Sequence, residues 1–284
     1  MPVIETRNLT YTYPEAAKAS IVDVSIRIEK GEFVLITGPS GCGKTTLCRC
    51  FNGLIPHFYH GTLEGEITVA GLNVKEHPTY EMAKYVGLVF QNPENQLFAL
   101  SVEKDVAFGL ENLGVPRDEI RSRVDWAMKI TGIYELRERA PYELSGGQQQ
   151  RVAIASVLAM KPDVIVLDEP TSFLDPLGAK KIFEVIHRLN RELGITIVLV
   201  EHRLDLTVKY ADHIIIMQDG KVILEGDPHK ILDSEDMRLI GVGIPKVTRL
   251  YQLLKADGVK FHGKVPLSPE EMAEKVRRIL KTHD

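Results

Sequence analysis

The chain has 284 residues, 44% hydrophobic and 26% charged, with 35 Lys and Arg against 39 Asp and Glu and a formal net charge of −4. No apolar run approaches the ~20 residues that cross a bilayer, so the chain is not expected to be a channel, and the acidic balance argues against broad electrostatic binding of nucleic acid. Three cysteines, at 42, 48 and 50, lie too close together to staple distant segments, and their odd number and i,i+2 spacing point to a reduced compartment rather than a disulfide or metal framework.

Up to about residue 90 the pattern is of short strands separated by glycine turns. Val24–Ile28 and Gly65–Val69 alternate polar and apolar residues, as half-exposed strands do. A strand predicted from Glu32 to Thr37 runs into Gly38-Pro39-Ser40-Gly41-Cys42-Gly43-Lys44-Thr45, which fits G-x-x-x-x-G-K-[ST] and opens a helix containing Thr46. Such a loop binds a nucleoside triphosphate: glycines let backbone N–H groups close around the phosphates, Lys44 reaches the β- and γ-phosphates, and the Thr45 hydroxyl ligates Mg²⁺. Cys42, among those N–H groups and beside Lys44, is expected to be the most reactive of the three thiols, with burial as the opposing effect. His57 and His60 flank Phe58-Tyr59 without a carboxylate or thiol at metal-binding spacing.

The apolar run Val86–Phe90 ends at Gln91. Residues 92 to 143 then change character, with Glu119 to Ile130 and its surroundings reading as charge-rich helices. Leu144-Ser145-Gly146-Gly147-Gln148 has the composition of a second anion site, with Ser145 placed to cap the following helix. From Val164 onward, segments 164–168, 180–193, 195–200, 203–209 and 213–217 alternate strand and helix, a βαβ pattern with a parallel sheet. The strand Val164–Asp168 delivers Asp168 and Glu169 at its C-terminal end, and Asp219-Gly220 turns a hairpin into Lys221–Gly226. Gly241–Pro245 is expected to be the turn into a helix. Ser268-Pro269-Glu270-Glu271 is a helix start with Ser268 as N-cap and Glu271 completing a capping box, followed by Met272, Val276, Ile279 and Leu280 on one face.

Taken together, the two Gly-rich segments resemble the ATP-binding cassette (ABC) family, whose signature sequence is L-S-G-G-Q. The resemblance implies an α/β P-loop NTPase fold with a RecA-like parallel core, an antiparallel β subdomain and a helical subdomain at about 92–150. It places the nucleotide-binding domain at residues 1–232, with a small helical extension at 233–284 that serves dimerisation or docking. ATP and Mg²⁺ are the implied cofactors. By the family's pattern Lys44, Gln91, Glu169 and His202 are catalytic, Glu169 being the general base and His202 the switch histidine on the γ-phosphate. Tyr13 stacks on adenine through its ring, residues Gly38 to Thr46 cradle the phosphates, and Thr45, Gln91 and Asp168 hold the metal, partly through water. Ser145, Gly146, Gly147, Gln148 and Asp175 act in trans, so one chain with one copy of each motif is half of a dimer with the same or a paralogous ATPase. Ser172-Phe173-Leu174-Asp175 departs from the family's S-A-L-D at Phe173.

Within the family, Phe90–Phe98, Asp105–Gly109, Val200-Glu201-His202-Arg203-Leu204-Asp205 and the C-terminal extension look like the ATPases of energy-coupling factor (ECF) importers. That likeness implies a transmembrane coupling protein and a membrane-embedded substrate-capture protein as partners, import of vitamins or transition-metal ions, and a peripheral location on the cytoplasmic face of the membrane, in keeping with a start, Met1–Glu5, that lacks signal-peptide features. The ATPase of another ABC importer, or a soluble non-transport ABC ATPase, is the alternative. No nucleic-acid partner is expected.

Overall fold

The computed structural model describes residues 2–234, 237 and 243–281. The chain begins with β1 (Pro2–Thr12), β2 (Ile21–Val24) and β3 (Arg27–Glu29), followed by β4 (Phe33–Thr37), which leads into α1 (Lys44–Phe51) and α2 (Leu54–His57). After these come β5 (Thr62–Val69), β6 (Leu72–Asn73), α3 (Thr79–Met82) and β7 (Val86–Val89), then three longer helices, α4 (Val102–Asn112), α5 (Arg117–Ile130) and α6 (Gly146–Ala159). β8 (Val164–Asp168), α7 (Pro176–Leu193), β9 (Thr196–Val200), α8 (Leu204–Thr207), β10 (His213–Gln218), β11 (Lys221–Gly226) and α9 (Pro228–Ile231) follow, and α10 (Lys246–Ala256) and α11 (Pro269–Lys281) end the described chain.

One sheet is antiparallel, ordered β2-β1-β5-β6 with β3 also on β1. The other is ordered β11-β10-β4-β9-β8-β7, its strands parallel except for the edge strand β11. Every residue of β4, β8 and β9 is buried, because both faces of this sheet are covered. Successive side chains point to opposite faces, so Ile197 and Leu199 join one apolar cluster with α4 to α7, while Val198 and Val200 join another with α1 and the antiparallel sheet.

Two local expectations change in the folded chain. The strand predicted over Val24–Ile28 is split between β2 and β3, because the buried Thr6 hydroxyl inserts at the break, donating to Val24 O at 2.9 Å and accepting from Ile26 N at 3.0 Å. Glu271 completes its capping box one residue early: Glu271 N donates to Ser268 Oγ at 3.2 Å, but its carboxylate accepts from Leu267 N at 2.9 Å. The Asp219-Gly220 hairpin has φ of 49° and 79°, the double left-handed turn that such a sequence favours.

The C-terminal helices dock on the same chain. Gln252 Nε2 donates to Leu232 O at 2.9 Å, Lys246 N to Asp205 Oδ1 at 2.7 Å, and the His229 ring lies 2.7 Å from Val265 O. Of the α11 stripe, Met272 is buried with Tyr251 and Val265, whereas Val276 and Leu280 stay at the surface. Gly241 and Val242, two of the five residues of the expected turn, lie outside the described residues, and Pro245 immediately precedes α10.

Candidate active site

Because β4, β9, β8 and β7 are neighbours running in one direction, their C-terminal ends bring four distant segments to one edge of the sheet. From β4 comes the loop 38–43. Gly38 and Gly43, at φ of 151° and 104°, sit where a Cβ would lie 2.1 Å from Met217 O and 2.4 Å from Ser20 O, so only glycine fits. Lys44 is buried and donates to Gly38 O at 3.0 Å and Pro39 O at 2.9 Å. Its ammonium therefore stands inside the curl of the loop, held by carbonyls that a phosphate oxygen can replace.

β8 ends at Asp168, in register with Val200 of β9. Asp168 is 7% exposed, neighbours the Thr45 side chain, and has a buried Oδ1 without a partner. Burial pushes its carboxyl above the usual range, against the opposing pull of Thr45. Hard oxygen donors from Thr45 and Asp168, one of them orphaned, fit a magnesium ion.

Glu169 follows at φ 49°, a left-handed conformation that a non-glycine residue adopts only when its surroundings enforce it. Its carboxylate collects three donors from three loops: Gln91 Nε2 to Oε2 at 3.0 Å, Ser172 Oγ to Oε2 at 3.0 Å, and His202 Nε2 to Oε1 at 2.9 Å. A carboxylate only accepts, so His202 Nε2 carries a proton here. A carboxylate fixed in this way can take a proton from a water beside it, with an amide and an imidazole in place to orient that water.

Behind these groups stand residues of the stretches that carry the ECF likeness, whose structural roles the sequence did not show. Glu201, 2% exposed, accepts the Thr171 hydroxyl at 2.7 Å, His202 N at 3.0 Å and Arg203 N at 3.3 Å, tying the loops after β8 and β9 together. Arg203 donates to Leu174 O at 3.1 Å. Gln96 brackets the Gln91 loop, accepting from Phe90 N and donating to Leu88 O. The buried Asp105 accepts from Phe98 N and Ala99 N. A buried polar side chain of this kind carries no sequence signature of its partner.

The segment Leu144–Gln148 lies at the start of α6, with Gln148 Oε1 accepting Ser145 N at 2.9 Å and Ser145 and Gly146 exposed. It shares a surface cleft of about 270 Å³ with Phe173, Leu174 and Asp175, and Asp175 caps α7 by accepting Gly178 N at 2.8 Å. Among the described residues, no hydrogen bond joins this segment to the loop 38–46 or to Glu169. Two expectations are corrected. Burial outweighs the nearby Lys44 and backbone N–H groups and pushes the Cys42 thiol up, so a thiolate is not favoured there, while Cys48 and Cys50 are pushed up as well and Cys42 stays the least buried of the three. Tyr13, expected to act through its ring alone, also uses its hydroxyl, which accepts from Arg49 Nη1 at 3.0 Å and lies 3.3 Å from Thr46 Oγ1.

Comparison with known proteins shows the family. A family model described as ABC transporter matches residues 21–172. A Pyrococcus abyssi protein that carries the general description of an ABC transporter ATP-binding protein is 45% identical over 99% of this chain and 100% of its own length. The energy-coupling factor transporter ATP-binding protein EcfA1 of Caldanaerobacter subterraneus is 42% identical over 97% of this chain and 99% of its own. Among solved structures, CbiO1 from Clostridium perfringens, described as part of the ABC transporter complex CbiONQ, superposes with a TM-score of 0.75 at 36% identity, covering 89% of this chain and 99% of that one. The dimeric ATP-binding cassette MJ0796, in a post-hydrolysis state with ADP and Pi, gives a TM-score of 0.67 at 32% identity over 79% of this chain and 98% of that one. The chain therefore belongs to the ABC transporter family and is an ABC ATPase.

Proposed function

We propose that this chain is the ATP-hydrolysing subunit of an ECF-type importer, bound peripherally at the cytoplasmic face of the membrane and taking up a vitamin or a transition-metal ion. The observation that carries the reading is the pairing of the Glu169 cluster with near full-length similarity to an ECF transporter ATPase. Most of the similar proteins bear only the general ABC description, and the ATPase of another ABC importer would share every residue of the cluster.

In the proposed reaction, Lys44 leaves the Gly38 and Pro39 carbonyls for the β- and γ-phosphates, and Glu169 accepts the proton of the attacking water while Gln91 and His202 orient it. Thr45 and Asp168, with Gln91, hold Mg²⁺, which when bound neutralises charge on the phosphates. Tyr13 receives the adenine. The exposed Ser145 and Gly146, with Gly147, Gln148 and Asp175, act on the nucleotide of a second ATPase subunit, where the N-terminus of α6 supports negative charge. That arrangement explains why the segment meets no phosphate-binding residue of its own chain. We assign the nucleotide-binding domain to residues 1–232 and a docking extension to 233–284.

A membrane partner finds a surface suited to it beside Gln91. Phe98, Leu100 and Phe108 are exposed, Phe98 and Phe108 stack edge to face at 4.6 Å, and Asp105 pins the backbone beneath them. No described helix is long and apolar enough to cross a membrane, so transport requires such a partner. Affinity purification from the native membrane, with identification of the co-purifying proteins, tests the proposal. A polytopic coupling protein together with a small membrane-embedded capture protein is the expected result. Recovery of a conventional permease pair, or of no membrane protein, would refute it.

A further inference from the structure

Tyr13 is held by a set of contacts that the proposed chemistry does not use. Arg49, on α1, donates through Nη1 to the Tyr13 hydroxyl at 3.0 Å, and its guanidinium lies 4.4 Å from the centre of the Tyr59 ring. Arginine has no acceptor, so the Tyr13 oxygen must accept, which leaves the phenol proton for Thr46 Oγ1 at 3.3 Å. Tyr59 is anchored in turn: the Tyr11 hydroxyl reaches the carbonyls of Tyr59 at 3.2 Å and His60 at 2.9 Å. Gly61 runs so close to β1 that a Cβ there would lie 2.4 Å from Thr12 O.

The rings complete the restraint. Tyr13 meets Tyr11 edge-on at 4.8 Å and 81°, and Tyr59 edge-on at 6.3 Å and 88°, a geometry that aromatic pairs favour. With its hydroxyl bonded and two rings set nearly perpendicular to it, the Tyr13 ring is held in one orientation. Arg49 Nε is buried and has no partner, so the side chain tolerates an unsatisfied donor in order to place Nη1 on Tyr13 and its plane over Tyr59.

We propose that Arg49 is a positioning residue for the nucleotide base: it fixes the plane of Tyr13 through the hydroxyl and, by way of Thr46, couples that plane to the helix carrying Lys44 and Thr45. The inference rests on the reading that Tyr13 receives adenine. It also makes the phenol, and not the ring alone, part of the recognition, so that Tyr13→Phe is a partial lesion.

The test uses the full chain and two ligands, ATP and inorganic tripolyphosphate, titrated against the parent, Arg49→Ala, Tyr13→Phe, Tyr13→Ala and the double variant Arg49→Ala/Tyr13→Ala. Arg49→Ala should weaken ATP binding about threefold to tenfold, the worth of one hydrogen bond, and leave tripolyphosphate within about twofold of the parent. Tyr13→Phe should reproduce part of that loss, and Arg49→Ala should add nothing in the Tyr13→Ala background. Equal loss of tripolyphosphate binding would show a direct phosphate contact or a damaged fold and would overturn the inference, as would an undiminished Arg49 effect without Tyr13. Should Arg49→Ala not fold, Tyr13→Phe decides: ATP binding equal to the parent's would refute the hydroxyl linkage. Unchanged ATP binding by Tyr13→Ala would instead remove the stacking premise, a failure distinguishable because it needs no change at Arg49.

Discussion

Replacing Glu169 by glutamine changes one atom of the carboxylate and leaves its volume. The amide oxygen can keep the donors Gln91 Nε2 and Ser172 Oγ, both of which converge on Oε2, while the new NH₂ faces His202 Nε2, which can turn from donor to acceptor by changing tautomer. Two of three hydrogen bonds persist and the third reverses, so folding stability should move by no more than about 1 kcal/mol. ATP affinity should hold, because Lys44, the loop glycines and Tyr13 are untouched. What is lost is proton acceptance, typically ~10²- to 10⁴-fold in rate. Phosphate release at saturating Mg·ATP, measured alongside an ATP titration, should show kcat reduced at least about a hundredfold at near-parental affinity. Hydrolysis by the variant within about tenfold of the parent would remove Glu169 as base. A parallel collapse of ATP binding would mean that the residue holds the site together and does not act on water.

Three further outcomes follow from the same geometry. Ser145→Arg puts a bulky cation on an exposed edge that bonds to no phosphate-binding residue of its own chain, so it should abolish hydrolysis while the monomer's ATP affinity stays parental; a matching loss of affinity would place Ser145 at the chain's own nucleotide. Burial raises the Asp168 carboxyl, so its ionised form opposes folding at neutral pH, a cost that fades as pH falls through the raised value. Asp168→Asn should accordingly raise the ligand-free Tm, by roughly 2 °C per kcal/mol relieved, while eliminating Mg-dependent turnover; a lower Tm would contradict the electrostatic account. The Cys42 thiol, raised by burial, should react slowly with maleimide at neutral pH and faster only above the ordinary thiol range, and rapid alkylation at pH 7 that Cys42→Ser abolishes would restore the thiolate reading.

The parallel core was legible because its strands are unbroken apolar runs with both faces buried, and the 38–46 loop because phosphate cradling demands glycines at fixed spacing. Asp168, Glu169, Gln91 and His202 were legible one by one through a family pattern, but not their convergence. Glu169 and His202 are 33 residues apart in sequence, and only the adjacency of β8 and β9 joins them. The stretches containing Glu201 and Gln96 stood out by likeness alone, without the contacts they make, and Arg49 carried no signal because its bond to Tyr13 spans 36 residues and has no period to betray it. Cys42 shows the converse: its local surroundings favour a thiolate, and the packing that buries it prevails. The broken strand at Ser25 and Ile26 has the same origin, in a hydroxyl from another strand.

The central claim, that hydrolysis takes place at a site shared by two ATPase subunits, is tested most directly by the specific activity of the parent chain measured from nanomolar to micromolar protein. Activity per chain should rise with concentration and then saturate, and Glu169→Gln with Mg·ATP should sediment at twice the 31.8 kDa mass of the monomer. Substantial hydrolysis that does not change with concentration, with the variant remaining a monomer under ATP, would contradict the account.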